Sequence, residues 1–339
     1  LIGSQTALSN RNLIINGAMQ IAQRGTSATA SNSVAYLTLD RWQYTYGDST
    51  TNEYSAWTMS QDSNAPAGFS SSTKFICTTA ASAPSTLTAA LIQQKFEGQN
   101  IQQIQFAKSG AKTLTASFYI KSNKTGNIGV QLFAIDDNTM NSQLVSINTA
   151  NTWEFKTVTF VAKTSGTEIP NDNTEGMRIR FVFEYNTGSA FGTANTWATK
   201  QTNQQLVPAG TSARTSSVND TFFITGCQLE VGDVATAFEH RSIGDELARC
   251  QRYYEIGHHQ SYGNATNPSS YTPELVTTDT FMVQKRAAPT LTTSNKVDTR
   301  ATGSILATSV NSFETAVDVT DNSTPVGGTE FDFQADSEL

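Results

Sequence analysis

The sequence predicts an all-β protein: an antiparallel jelly-roll sandwich, followed by one short helix and a small C-terminal β module. Three observations carry this prediction. Charged residues make up only 15% of the 339 residues, against roughly 25% in an average soluble protein. Ser, Thr, Asn and Gln fill the gap, at about 38% of the chain. Thr is β-branched and suits a pleated, half-buried strand, whereas helical proteins are rich in Ala, Leu, Glu and Lys. Second, successive segments alternate apolar and polar residues with period two and are separated by Gly, Asn and Ser, without helical patterns between them. Third, a single stretch carries helical spacing.

In chain order, residues 1–11 read as a linker that follows a missing upstream region, because there is no initiator Met. They also lack the basic and apolar stretches of a secretory signal. The jelly roll is expected over residues 12–241. Its clearest strands begin at Leu114, where Leu114, Ala116, Phe118 and Ile120 share one face and Thr115, Ser117, Tyr119 and Lys121 share the other. Ile128, Val130, Leu132 and Ala134 repeat the pattern after a turn at Asn123 to Gly126, so an antiparallel pair is expected. Trp153 to Val161 and Met177 to Glu184 continue the series, the latter with Met177, Ile179, Phe181 and Phe183 inward and Arg178 and Arg180 outward. A last strand is expected at Phe222 to Val231, with Phe223, Thr225, Cys227, Leu229 and Val231 on one face. The stretches 45–72, 135–151 and 185–220 read as long loops.

The helix is expected within residues 242–256. Ser242 and Asp245 form a capping-box pattern, and Ile243, Leu247, Cys250 and Tyr254 fall on one face at spacings of about four, three and four. That face is expected to serve structure or assembly. The C-terminal module is expected over 257–339, with His258 to Pro273 as a loop and strands at Leu275 to Val283, at Ala288 to Thr293 and onward to Phe333.

Charge and composition exclude several functions. With a net charge of -7 and a pI of about 5.0, the chain lacks the basic surface that holds nucleic acid through phosphate contacts. No apolar run approaches the ~18 residues of a membrane span. Cys77, Cys227 and Cys250 stand far apart with no paired spacing, which reads as buried thiols rather than a disulfide or zinc framework. His240, His258 and His259 lack a nucleophile signature around them. Asp136-Asp137-Asn138 and Asn171-Asp172-Asn173 are oxygen clusters compatible with calcium, but they lack the spacing of a calcium loop and read as turns. No catalytic residue, metal ligand or cofactor is therefore assigned.

Aromatic side chains are the more suggestive class, because a flat ring stacks on the apolar C–H face of a sugar. Trp42 and Trp153 sit beside strand-like runs and read as core. Trp197, Tyr262 and Tyr271 lie in Thr/Ser/Asn-rich stretches and are the carbohydrate-binding candidates.

Two blocks of sequence then point to a family. Asn12-Leu13-Ile14-Ile15-Asn16-Gly17-Ala18-Met19-Gln20, followed by Gln23-Arg24-Gly25-Thr26 and Leu39-Asp40-Arg41-Trp42, resembles the opening of bacteriophage tail-fibre and related virion structural proteins. Thr225 to Gly232, then Ala235 to Arg241 and Glu246 to Tyr254, is similar to the closing strand and following helix of that family. Lys285 to Thr290 and the ending Ala335 to Leu339 resemble its C-terminal module. The resemblance implies a jelly roll similar to carbohydrate-binding modules, a homotrimeric fibre, attachment to other virion proteins through the missing N-terminal region, and adsorption to host-surface polysaccharide. The expected function is thus a non-enzymatic virion fibre, assembled in the host cytoplasm, that recognises glycan. The alternatives are a tailspike depolymerase and a capsid decoration or head fibre.

Overall fold

The computed structural model describes residues 10–30, 34–46, 55–81, 89–186, 190–201, 206–264, 274–299, 301–319 and 326–339. They form two compact units, Leu1–Ile243 with Leu339, and Gly244–Glu338.

The first unit contains β1 (Ser27–Ala30), β2 (Ala35–Tyr36), β3 (Gln43–Tyr46), β4 (Ala56–Asp62), β5 (Ser72–Thr79), β6 (Ala89–Glu97) and β7 (Leu114–Ser122). It continues with β8 (Gly126–Ala134), β9 (Thr139–Ile147), β10 (Glu154–Phe160), β11 (Glu175–Tyr185), β12 (Ala198–Thr199) and β13 (Thr221–Val231). A six-stranded sheet runs β1-β4-β5-β13-β7-β10 and a seven-stranded sheet runs β12-β9-β8-β11-β6-β3-β2. The strand pairs are antiparallel and the chain crosses repeatedly from one sheet to the other, so the unit is the jelly-roll sandwich the alternation predicts. Leu114, Ala116, Phe118 and Ile120 meet Ile128, Val130, Leu132, Ile179, Phe181 and Phe183 in one core. Phe118 stands edge-on to Phe181 at 4.9 Å, and Phe183 stacks on Phe222 at 5.0 Å. Burying each such side chain contributes about 1.5–3 kcal/mol.

The opening block of the sequence is structural. The Asn16 backbone is left-handed at φ 56°, a conformation Asn tolerates well. Its side-chain oxygen accepts from the Gln20 and Ile21 amides, its amide donates to the Ile21 and Asp40 carbonyls, and Trp42 Nε1 donates to its carbonyl. Asn12 joins this opening to the closing strand: its Nδ2 donates to Cys227 O at 3.1 Å and its Oδ1 accepts from the Leu229 amide. Glu239 accepts from the Asn12 amide, and Arg241 donates to the Ile14 and Asn12 carbonyls. The two motif blocks are therefore two sides of one clasp.

Several expectations change. Residues 45–72 and 135–151 contain β4 and β9, and β4 buries Trp57 and Met59. In β13 the core face carries Phe222 and Ile224, then Cys227 and Leu229, whereas strict alternation would put Phe223 and Thr225 there. A register shift between Thr225 and Gln228 adds the extra residue, and Gly226, at φ +62°, supplies the left-handed backbone that such a bulge needs. Trp153 lies on the outer face rather than in the core.

The second unit holds α1 (Ile243–Gln251), β14 (Tyr254–Asn264), β15 (Glu274–Thr280), β16 (Thr290–Thr299), β17 (Ala301–Thr308), β18 (Ser312–Val319) and β19 (Val326–Asp336). Its two three-stranded sheets run β14-β19-β16 and β15-β18-β17, around a core of Phe281, Phe313, Phe331, Phe333 and Ala335. The helix is shorter than 242–256, and Tyr254 already belongs to β14. Cys250 and Tyr254 are buried, Leu247 is half-buried, and Ile243 is 59% exposed. Glu246 is buried as well, so the face expected from spacing is covered only in part. The expected loop from His258 is strand β14, which pairs with β19 along its whole length. Successive residues point to opposite sides, so His259 is buried against Phe331 while His258 is exposed and contacts Asp332.

Candidate functional site

An aromatic strip crosses the outer face of the six-stranded sheet. Because Val158 and Phe160 of β10 are buried in the core, period two sends Trp153 and Phe155 outward. Phe155 is directly opposite Tyr119 of β7, with ring centroids 5.1 Å apart, and it is 51% exposed. Phe69 continues the row, 5.5 Å from Tyr119 and 5.0 Å from Phe238, with the exposed His240 ring 5.3 Å away. The bulge in β13 leaves space for this row: a Cβ on Gly226 would lie 2.7 Å from Phe69 Cζ and 3.1 Å from Tyr119 Cδ2.

Two residues along β7, the strip gains polar partners. Lys121 lies opposite Phe223, with its ammonium 4.4 Å from the Phe223 ring centroid and 5.3 Å from that of Trp153. Trp153 packs edge-on to Phe223 at 6.0 Å. Asn64 Oδ1 accepts from Trp153 Nε1 at 3.0 Å and from Lys121 Nζ at 2.7 Å. Burial lowers the Lys121 pKa, with the charge of Lys74 acting in the same direction and Asp62 opposing. Half-exposed rings bordered by an amide, an ammonium and an imidazole suit a sugar, which offers a C–H face to the rings and hydroxyls to the polar groups.

The aromatics expected from sequence are placed elsewhere. Trp197 is half-buried and packs against the core, edge-on to Phe106 at 5.1 Å, and its Nε1 donates to Val161 O at 2.8 Å. Tyr262 belongs to the second unit and is 44% exposed; its hydroxyl donates to Glu330 Oε2 at 3.1 Å. Its ring covers Gly328, where a Cβ would lie 2.1 Å from Tyr262 Cδ1. Tyr271 lies outside the described residues. Trp197 and Tyr262 are thus held in separate units. The alternation of β10 was the signal that would have found Trp153 and Phe155.

A cavity of about 600 Å³ opens at one end of the seven-stranded sheet, lined among others by Lys124, Asn127, Leu144, Tyr185, Pro208 and Arg214. Arg214 is consumed by structure, since it donates to the Phe183, Thr125 and Lys124 carbonyls and to Ser122 Oγ. The Tyr185 hydroxyl donates to Asn127 O. Among the described residues, no cluster of three or more His, Cys, Asp and Glu side chains is placed to hold a metal ion. Asp137 accepts from Thr139 and the Thr167 amide, and Asp172 accepts from Thr174, so both acids stabilise turns. The three cysteines are buried and form no disulfide.

No protein-family model matches the chain, and no curated protein does. Solved structures similar to it include the enzymatically active domain of tailspike protein 4 of bacteriophage CBA120, at 14% identity and a TM-score of 0.32 over 65% of this chain. The chain spans 21% of that tailspike chain. A family 61 carbohydrate-binding module in complex with beta-1,4-galactotriose is 11% identical, with a TM-score of 0.30, over 66% of this chain and 99% of the module. A family 11 carbohydrate-binding module from Clostridium thermocellum, in complex with a mixed-linked tetrasaccharide, is 10% identical, with a TM-score of 0.30, over 63% and 98% of the two chains.

Proposed function

We propose that this chain is a non-enzymatic fibre protein of a phage virion, a tail fibre, that adsorbs to host-surface glycan through the aromatic strip of its jelly roll. The observation that carries glycan recognition is the strip itself: Phe155 and Trp153 on an outer sheet face, with Asn64 and Lys121 holding polar atoms beside the rings. A monomeric globular protein has no structural need to leave such a row on its surface. The virion assignment rests on the two motif blocks, which resemble tail-fibre proteins. A homotrimer anchored to other virion proteins would present three weak sugar sites together, and the gain in effective concentration would make weak sites sufficient.

Replacing Trp153 and Phe155 together with Ala tests the strip. Both side chains stand outside the core, so the melting temperature is expected to stay near that of the wild type, while binding to host-cell polysaccharide weakens by about 10- to 100-fold, the value of one or two lost stacking contacts. Unchanged binding in a pull-down on host envelopes would remove the strip from the reading. Release of reducing ends from the same polysaccharide would replace the fibre by the depolymerase, and sedimentation as a monomer at micromolar concentration would remove the trimer. Labelling of the capsid rather than the tail in particle images would favour the head-fibre alternative.

A further inference from the structure

The outer face of the seven-stranded sheet carries a different arrangement. Ile179 and Phe181 of β11 enter the core, so Arg178 and Arg180 point away from it. Register sets Gln43, Gln93, Arg180, Gln131 and Ser142 side by side on β3, β6, β11, β8 and β9. Hydrogen bonds join the row: Gln93 Nε2 donates to Gln43 Oε1 at 2.6 Å, Arg180 Nε to Gln93 Oε1 at 3.0 Å, Arg180 Nη1 to Gln131 Oε1 at 2.8 Å, and Gln131 Nε2 to Ser142 Oγ at 2.7 Å.

Arg180 is only 8% exposed, yet its partners are neutral amides, and its Nη2 makes no hydrogen bond among the described residues. Glu175, whose charge reaches it, is already committed: Arg178 donates to both Glu175 oxygens and Lys95 lies 3.8 Å away. Beside the row, three cations share the Phe133 ring, with Arg178 at 5.4 Å, Arg180 at 5.3 Å and Lys200 at 5.4 Å from its centroid. Among the described residues, Lys200 also forms no ion pair. A buried guanidinium without a carboxylate is unusual, because amide dipoles only partly replace the hydration it gives up. Here two unpaired cations converge on one ring, and a rigid hydrogen-bonded row fixes the orientation of the less mobile one.

We propose that this row is a second binding site, which takes the carboxylate of an acidic sugar between Arg180 Nη2 and Lys200 Nζ. A guanidinium edge matches the flat carboxylate geometry. A singly charged group suits the site better than a phosphate dianion, since Glu175 already neutralises Arg178 and the chain carries a net charge of -7. The choice of a sugar as the bearer of the carboxylate rests on the glycan reading above; the site itself stands on the geometry of Arg180 and Lys200.

Titration of the full-length chain with oligogalacturonate, a neutral galacto-oligosaccharide and inorganic phosphate, followed by calorimetry, tests the site. The acidic oligosaccharide is expected to bind, and Lys200→Ala, a surface change, and Arg180→Gln are each expected to weaken it at least about tenfold. Circular dichroism confirms that Arg180→Gln folds, and if it does not, Lys200→Ala alone decides. The Trp153→Ala/Phe155→Ala variant is expected to retain an Arg180-dependent response to the acid, so failure of the strip and failure of this site are separable. Equal affinity for the acidic and neutral oligosaccharides, a preference for phosphate, or insensitivity to Lys200→Ala would overturn the proposal.

Discussion

Glu184 of β11 shows how one side chain can tie stability to pH. It is 2% exposed and accepts from Ser55 Oγ at 2.7 Å and Trp57 Nε1 at 3.0 Å. Burial outweighs these hydrogen bonds and raises its pKa above the ordinary 4.5. The same pocket acts on Cys77, where burial, then Glu184 and Asp220, push the thiol up to about 12. For Glu184 the folded chain holds a proton at pH values where the unfolded chain has already released it. Its contribution to stability is therefore fully present below about 4.5 and is lost as the pH rises through the folded pKa. Acidification from pH 7 to pH 5 is expected to stabilise the wild type relative to Glu184→Gln, which has no proton to take up. Thermal melts of both proteins across this range give the difference directly, and a pH-independent difference would contradict the assignment. None of this was visible from the sequence, where Glu184 simply ended an alternating run and Trp57 fell in an expected loop.

At the level of elements, period two was legible where it ran unbroken and misleading where the backbone departed from it. In β7, β8 and β11 the apolar residues form the core as spaced. In β9, Asn141 is buried and Ser142 and Gln143 interrupt the pattern, so the sequence of this segment reads as a loop although it pairs with β8 over nine residues. In β13 the isolated Gly226 is the readable signal of a bulge; strict alternation, which has no place for the extra residue, assigns Phe223 and Thr225 to the wrong face. Gly226→Ala is expected to cost about 1–3 kcal/mol, because a non-Gly residue at this φ is strained and its Cβ would press on Phe69 and Tyr119. Urea denaturation measures the loss, and the displaced rings should weaken the proposed glycan binding in parallel. A change below about 0.5 kcal/mol, the range of an ordinary surface substitution, would show that the bulge relaxes without cost. The aromatic strip was hidden for a related reason. Trp153 beside a strand reads as core until the buried side of β10 is known, and only then does alternation turn it and Phe155 outward.

Across the whole chain, the polar, weakly charged composition is shared by two compact units with separate cores, and this division has a thermodynamic consequence. The first unit is built around Phe118, Phe181, Phe183 and Phe222, and the second around Phe281, Phe313, Phe331 and Phe333. Neither core cluster contains residues of the other unit, so each unit has its own source of hydrophobic stabilisation and a transition of its own is expected. Phe118 is fully buried and Phe313 is 1% exposed, so truncating either to Ala should cost about 3–5 kcal/mol. The second unit is the smaller, and at roughly 0.05–0.15 kcal/mol per residue such a loss is a large fraction of its stability. Calorimetry of Phe118→Ala is expected to lower only the transition of the jelly roll, and Phe313→Ala only that of the C-terminal unit. Because the aromatic strip and the Arg180 row both belong to the jelly roll, Phe313→Ala should also leave the glycan binding proposed for them intact at temperatures where the C-terminal unit has melted. A single transition displaced by both substitutions would mean that the two cores unfold as one cooperative body, and binding lost with the C-terminal unit would place part of the recognition surface there.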